Sequence, residues 1–193
     1  MLHAAGDLQR HGRAAEKAMD ALLRHGYTEK VGVSVYNADE IEEMLKYETY
    51  SVTQAPISIF DQRIIARGAV DKLKDRGYTV FVRSVFLQGL FFLDPDKLDD
   101  PILLEYAADK IRLLRRIAEE GNMSVAQLAI AFMRDCTGIT SLVLGADTPE
   151  QVRSNISYFS APALDPEVTA LLRREFSDVN IPMIMQVLSR PKK

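Results

Sequence analysis

Residues 24–35 read Arg-His-Gly-Tyr-Thr-Glu-Lys-Val-Gly-Val-Ser-Val, and their order decides the fold class. The stretch joins a helix end, a glycine able to take the left-handed conformation that stops a helix, and a short β-branched run suited to a buried strand. Upstream, Ala14, Ala15, Ala18, Met19, Leu22 and Leu23 recur at helical spacing and predict a helix from about Gly12 to His25. The same grammar returns at 75–79, Asp-Arg-Gly-Tyr-Thr, ahead of a second apolar run. A repeat at this distance fits successive helix–strand units, not a short-period solenoid.

Working outward, four strands are expected: Lys30–Val35, Ser51–Ile57, Tyr78–Ser84 and Thr140–Leu144. Helices are expected between and after them. Asn37 and Glu40 have the spacing of a capping box for a helix through Tyr47, and Asp61–Arg76 reads as one amphipathic helix ending at Gly77. Phe91–Asp99 reads as a loop. A helix follows from Pro101 to about Glu119, stopped by Gly121, and Ser124 with Gln127 opens another through Asp135. Thr148-Pro-Glu-Gln151 combines a cap, a proline at the first helical position and a box glutamine. A last helix begins at Asp165-Pro166, and residues 181–193 form a C-terminal tail with an apolar run.

Strands that alternate with helices call for a parallel sheet with right-handed crossovers, so the fold class is α/β. An open doubly wound sheet would carry a Gly-rich turn after its first strand, and Gly32-Val-Ser-Val-Tyr-Asn37 is no such turn. A closed barrel needs eight strands and about 250 residues. The 193 residues offer four strands, which suggests a partial barrel.

Composition narrows the function. Apolar residues make up 47% and charged residues 26% of the chain, the balance of an ordinary globular protein. A net charge of -3, with no concentrated basic face, argues against a nucleic-acid partner. The basic runs Arg112–Arg116 and Ser189–Lys193 read as a solvated helix face and a frayed tail. Cys136 is the sole cysteine, so an internal disulfide and a cysteine-ligated zinc site are excluded, and it reads as a small core residue. The chain opens without a signal peptide, and its most apolar stretch, Val85–Leu93, is too short to cross a bilayer. A cytoplasmic protein without a membrane partner is expected.

Chemistry in parallel α/β folds lies beyond the C-terminal ends of the strands. There the polar residues Ser34, Gln54, Arg83, Ser84, Gly145 and Asp147 each follow apolar strand residues, suggesting donors and acceptors around one ligand. Gly145-Ala-Asp-Thr-Pro-Glu-Gln151 leads a glycine turn onto a capped helix N-terminus, a setting that favours anions. Gln151 and Asn155 fall one turn apart on that helix.

Lys30-Val-Gly-Val-Ser34, Val52-Thr-Gln54, Val82-Arg-Ser-Val-Phe-Leu-Gln-Gly-Leu90 and Leu144-Gly-Ala-Asp-Thr-Pro-Glu-Gln-Val-Arg-Ser-Asn155 resemble, in order, the last four strand-end motifs of aldo-keto reductases. Ala126-Gln-Leu-Ala129 is similar to the family's helix before the final strand. The resemblance covers nearly the whole chain to about Phe159. It implies the fifth to eighth strands of a TIM (β/α)8 barrel with flanking helices, a single incomplete barrel domain over 1–193, and a site for NADP(H) or NAD(H) without a Rossmann fold. It implies that Ser34 and Gln54 bond the nicotinamide carboxamide, although Val35 stands where the family usually has Asn. Ser84, Val85, Phe86, Gln88 and Gly89 correspond to the loop around the pyrophosphate. Arg83 stands where an aromatic commonly stacks on the nicotinamide, and its planar guanidinium could stack instead. Gly145, Asp147, Gln151 and Asn155 correspond to the grip on the adenosine half. Asp147 departs from the basic or hydroxyl residue often near a 2′-phosphate and favours NAD; Ser154 stands where a Glu often precedes the Asn.

The family reduces a small-molecule carbonyl to an alcohol by hydride transfer, with a tyrosine acid tuned by lysine and aspartate and a histidine orienting the carbonyl. Of that set only His3, after Leu2, has a counterpart here. The chain alone is therefore expected to be inactive, and to self-associate or pair with a missing N-terminal half. The alternative is a non-catalytic nicotinamide-nucleotide-binding or regulatory protein.

Overall fold

The computed structural model describes residues 1–190. Its elements begin with α1 (Gly6–Arg24), β1 (Gly32–Ser34), α2 (Ala38–Met44), β2 (Val52–Pro56), α3 (Arg63–Ala66), α4 (Ala69–Asp75) and β3 (Thr79–Arg83). After two short 3-10 turns, Leu87–Phe92 and Pro95–Lys97, come α5 (Pro101–Tyr106), α6 (Ala108–Glu120), α7 (Val125–Arg134), β4 (Ser141–Leu142), α8 (Pro149–Tyr158), α9 (Pro166–Glu175) and α10 (Ile181–Leu188). The described residues form two compact units.

The first unit holds Met1–Ile57, Arg63–Arg83 and Cys136–Val143. Its centre is a parallel sheet in the order β1-β2-β3-β4. The register pairs Ser34 with Gln54, Gln54 with Phe81, Pro56 with Arg83, and Phe81 with Ser141. Because side chains alternate along a strand, Val33, Thr53, Ala55, Val80 and Val82 share one face, and all are fully buried. Ser34, Gln54, Phe81 and Arg83 share the other, where Gln54, Phe81 and Arg83 are half-buried. Gly32 is required in β1: a Cβ there would stand 2.0 Å from the Val52 carbonyl oxygen.

The repeated helix stop is real geometry. After α1, Gly26 (φ 71°) donates to Leu23 O and Tyr27 N–H to Leu22 O; after α4, Gly77 (φ 72°) donates to Lys74 O and Tyr78 N–H to Leu73 O. Both are the Schellman pattern, which satisfies the last carbonyls and turns the chain toward the sheet. α1 begins earlier than its periodicity suggests, with a kink at Gly12. The single helix expected over 61–76 is two, because Gly68 takes φ 65° between α3 and α4. β4 is shorter than expected. Its neighbours still bond to β3, Thr140 N–H to Val80 O and Val143 N–H to Val82 O, but Thr140, Ser141 and Val143 are exposed.

The second unit holds Ser58–Gln62, Ser84–Asp135 and the described residues from Leu144 onward. Phe60 lies at its centre, 4.7 Å from Phe91 and 5.1 Å from Phe176, ring centroid to centroid. All three are buried, and each such side chain contributes about 2 kcal/mol by leaving water. α7 follows the expected capping box, Ser124 Oγ with Gln127 N–H and Gln127 Oε1 with Ser124 N–H. The expected helix 101–119 breaks at Ala107 (φ -126°), giving α5 and α6. Its stop is not Gly121, whose φ is -83°; Asn122 takes the left-handed position, and Met123 N–H closes back to Ala118 O. In place of a wholly irregular loop over 91–99 are the two 3-10 turns. Arg112 and Arg115 bind that region to α6, Arg112 to Asp96 at 2.7 Å and Arg115 to Leu93 O at 2.8 Å.

The stretch expected as a tail from 181 begins as α10, capped by Asn180 and packed on α5, with Ile181 and Ile184 buried. Arg190 pairs with Asp100 at 2.6 Å. Pro191–Lys193 lie outside the described residues. No helix among the described residues is long and apolar enough to cross a membrane.

Candidate functional site

In the first unit, Ser34 ends β1 and Arg83 ends β3, but Gln54, expected at a strand end, lies in the middle of β2, because the β2–β3 pairing continues for two residues to Pro56 and Arg83. Ser34 and Gln54 face each other in register across β1 and β2. Neither side chain has a hydrogen-bond partner among the described residues. A hydroxyl and a primary amide side by side, both unspent, suit a ligand with matching donors and acceptors, such as a carboxamide. Leu2 bridges β1 in parallel, its N–H to Gly32 O at 2.8 Å and its carbonyl accepting Ser34 N–H at 3.0 Å. That places His3 one residue beyond the bridge, level with Ser34 and exposed.

Arg83 ends β3. Its guanidinium carbon lies 4.5 Å from the Tyr36 ring centroid, and Nη2 donates to Val35 O at 3.3 Å. Tyr36 is fixed by its own backbone, whose N–H donates to Glu40 Oε2 at 2.6 Å, while Asn37 Oδ1 accepts Glu40 N–H at 3.0 Å. The expected capping box is therefore displaced by one residue: the glutamate reaches Tyr36 instead of Asn37. The Tyr36–Arg83 stack was not expected from the sequence.

In the second unit, Ser84 (φ 63°), Leu87 (φ 46°), Gln88 (φ 54°) and Gly89 (φ 87°) all take left-handed backbone. Three of these are not glycine, and strain of this kind is held in place only by firm surroundings. The anchors are Val85 and Leu87, both buried, with Phe86 packed on Phe92 at 5.2 Å. Val85 could thus serve a ligand only through its backbone, whereas Gln88 is exposed.

Gly145 and Asp147 lie on the exposed turn into α8. Thr148 caps that helix, accepting Gln151 N–H at 3.2 Å, and Gln151 Oε1 accepts Asp147 N–H at 2.6 Å. Asn155 Nδ2 donates to Gly145 O at 3.2 Å. Gln151 and Asn155 therefore splint the turn. A shallow depression is lined by Ala146, Asp147, Thr148, Pro149, Val152 and Arg153. Arg153 was overlooked in the sequence because its cation looks like part of an ordinary exposed helix; it pairs with Glu150 at 3.0 Å. Buried Asp61 and Gln62 were also passed over, and Gln62 Nε2 bonds Ile59 O and Leu172 O at 2.8 and 3.0 Å. Among the described residues, no cluster of three or more His, Cys, Asp or Glu could hold a metal ion.

The aldo/keto reductase family model matches residues 11–174. The chain belongs to the aldo/keto reductase family. It is 26% identical over 179 residues to an NADH-specific methylglyoxal reductase of Escherichia coli K12, covering 83% of this chain and 52% of that protein. It is 21% identical over 183 residues to an L-glyceraldehyde 3-phosphate reductase of Escherichia coli O157:H7, covering 83% and 53%. The chain thus spans about half the length of the curated relatives it matches. Among solved structures, a glycerol dehydrogenase from Gluconobacter oxydans superposes with a TM-score of 0.70 at 18% identity, over 99% of this chain and 59% of that one. The parallel α/β arrangement of this aldo/keto reductase family member is accordingly TIM-barrel-like.

Proposed function

We propose that the chain supplies the nicotinamide-dinucleotide-binding part of an aldo-keto reductase, corresponding to the fifth to eighth strands of a (β/α)8 barrel. The complete reaction is the reduction of a small-molecule carbonyl to an alcohol. When bound, the dihydronicotinamide supplies the hydride to the carbonyl carbon. Ser34 and Gln54 hold the carboxamide and so fix which ring carbon faces the substrate, and His3 stands level with them to orient the carbonyl oxygen. Arg83 meets the ring. The family resemblance assigns Ser84–Gly89 to the pyrophosphate and Gly145, Asp147, Gln151 and Asn155 to the adenosine half.

The observation that carries this reading is the pair of unspent side chains, Ser34 at the end of β1 and Gln54 in register with it in mid-β2. Family membership over residues 11–174 supports it. The test is calorimetric titration with NADH and NADPH. Binding of at least one is expected, weakened about tenfold by losing the amide in Gln54→Ala. A folded chain that binds neither overturns the reading.

Within the 193 residues, no tyrosine–lysine–aspartate set matching the family's proton donor is found. The chain by itself is expected to bind dinucleotide without reducing a model aldehyde. Turnover above a heat-treated control would contradict this part.

A further inference from the structure

We propose that the stacked pair Tyr36–Arg83 forms a cationic platform that selects the reduced dinucleotide over the oxidised one, with Arg83 as the specificity-determining residue and Tyr36 as its positioning residue. The inference rests on the assignment of Arg83 to the nicotinamide ring.

The Arg83 guanidinium carbon lies over the Tyr36 ring, 4.5 Å from its centroid. Its Nη2 is tied to Val35 O at 3.3 Å, and no carboxylate neutralises Arg83 among the described residues. The cation therefore keeps its full charge on the sheet face that carries Ser34 and Gln54, two residues beyond their level. Tyr36 is 50% exposed. Its hold on Arg83 combines cation–π attraction with planar stacking, which lysine could not reproduce.

The consequence follows from charge. A reduced nicotinamide is neutral, and a guanidinium stacks on it at no electrostatic cost. The oxidised ring is a pyridinium, and a second cation at stacking distance repels it. An aromatic platform would attract the pyridinium instead. Arginine at the end of β3 thus inverts the preference that a tyrosine there would give.

The test is calorimetry of the purified chain with NADH, NAD and ADP-ribose, the last lacking the nicotinamide. Wild type is expected to bind NADH about tenfold or more tighter than NAD, a gap set by the like-charge contact. In Arg83→Tyr the gap should close through stronger NAD binding. Tyr36→Leu should weaken NADH about threefold while leaving ADP-ribose unchanged, and Tyr36→Phe should behave as wild type because the ring remains. Equal NADH-to-NAD ratios in wild type and Arg83→Tyr would overturn the proposal. So would a Tyr36→Leu protein that loses ADP-ribose as much as NADH. Wild type binding none of the three ligands fails the functional reading itself, and the proposal falls with it.

Discussion

Gln151 accepts the backbone N–H of Asp147 through Oε1 at 2.6 Å, one turn below Asn155, whose amide holds the Gly145 carbonyl at 3.2 Å. Both side chains stiffen the turn into α8 through these bonds to its backbone. Removing either frees a backbone polar group to water and loosens the turn, at about 1 kcal/mol each. Gln151→Ala and Asn155→Ala are expected to lower ADP-ribose affinity about fivefold and the thermal midpoint by no more than about 2–4 °C. Calorimetry with ADP-ribose reads the effect; unchanged affinity in both variants would remove the turn from the binding site.

Gly32 has no room for a side chain. A Cβ there meets the Val52 carbonyl oxygen at 2.0 Å and Val52 Cβ at 2.7 Å, in the middle of the β1–β2 register. Gly32→Ala must part the two strands, and a destabilisation of about 2–4 kcal/mol is expected. Urea unfolding of the variant checks this. A midpoint within error of wild type would mean that the strands are not so closely apposed.

Tyr50 is buried, edge-on to Tyr47, and its hydroxyl has no hydrogen-bond partner among the described residues. Burial, reinforced by the Glu16 carboxylate, pushes its pKa up to about 12. The folded chain therefore holds this proton more tightly than the unfolded chain, whose tyrosine ionises near the ordinary 10.0. The resulting stability is complete below pH 10 and is lost as pH rises from about 10 to about 12. Tyr50→Phe removes an unsatisfied hydroxyl, so stability at neutral pH should hold or rise by up to about 1 kcal/mol. The variant should also resist alkali better across that window. Urea midpoints at pH 7 and pH 10.5 decide it, and a clear loss at pH 7 would count against the orphaned hydroxyl.

Arg134 closes α7 against the connection after α8, donating to the carbonyls of Phe159, Ala161 and Pro162 at 3.0, 2.6 and 3.1 Å. Burial opposes the charge on Asp135, but Arg134 and the Leu164 N–H outweigh it and hold the carboxyl below its usual range. A lowered folded pKa contributes stability above about pH 4, which is lost as pH falls through the folded value. Asp135→Asn is expected to flatten the decline of the thermal midpoint below pH 4, and Arg134→Met to cost about 1–3 kcal/mol by leaving carbonyls unpaired. An Asp135→Asn profile parallel to wild type would refute the assignment.

What the sequence made legible was local. Gly26 and Gly77 stop their helices with the same two hydrogen bonds, and Ser124 with Gln127 closes its box, because each signal lies within a few residues. The alternation that puts Ser34 and Gln54 on one face of the sheet is equally local, whereas how far β2 runs past Gln54 depends on its pairing with β3. The breaks at Gly68 and Ala107 were hidden because continuous apolar spacing runs through both, and backbone torsion alone divides the helices. Asn122 replaced Gly121 for the same reason: either residue tolerates left-handed backbone, and only the chain path selects between them. Tyr36 and Arg83 are 47 positions apart and meet across the end of β2, so no spacing in the sequence announces their stack. Arg153 stayed invisible until the turn into α8 placed it beside Asp147 around one depression.

On the proposed assignment of this turn to the adenosine half, the depression bears on the choice of dinucleotide. Asp147 is an exposed carboxylate without an ion-pair partner among the described residues, and Arg153 is already paired with Glu150 at 3.0 Å. A 2′-phosphate placed there would meet the free anion before an occupied cation, whereas a 2′-hydroxyl could donate to Asp147. NADH should therefore bind more tightly than NADPH. Asp147→Ser should move the preference toward NADPH by about tenfold, the size of one close like-charge contact near the surface. Arg153→Ala serves as the counterweight: it should weaken NADPH in the Asp147→Ser background and leave NADH alone. If the wild-type chain prefers NADPH tenfold and Arg153→Ala abolishes that preference, the arginine governs the site and the carboxylate does not.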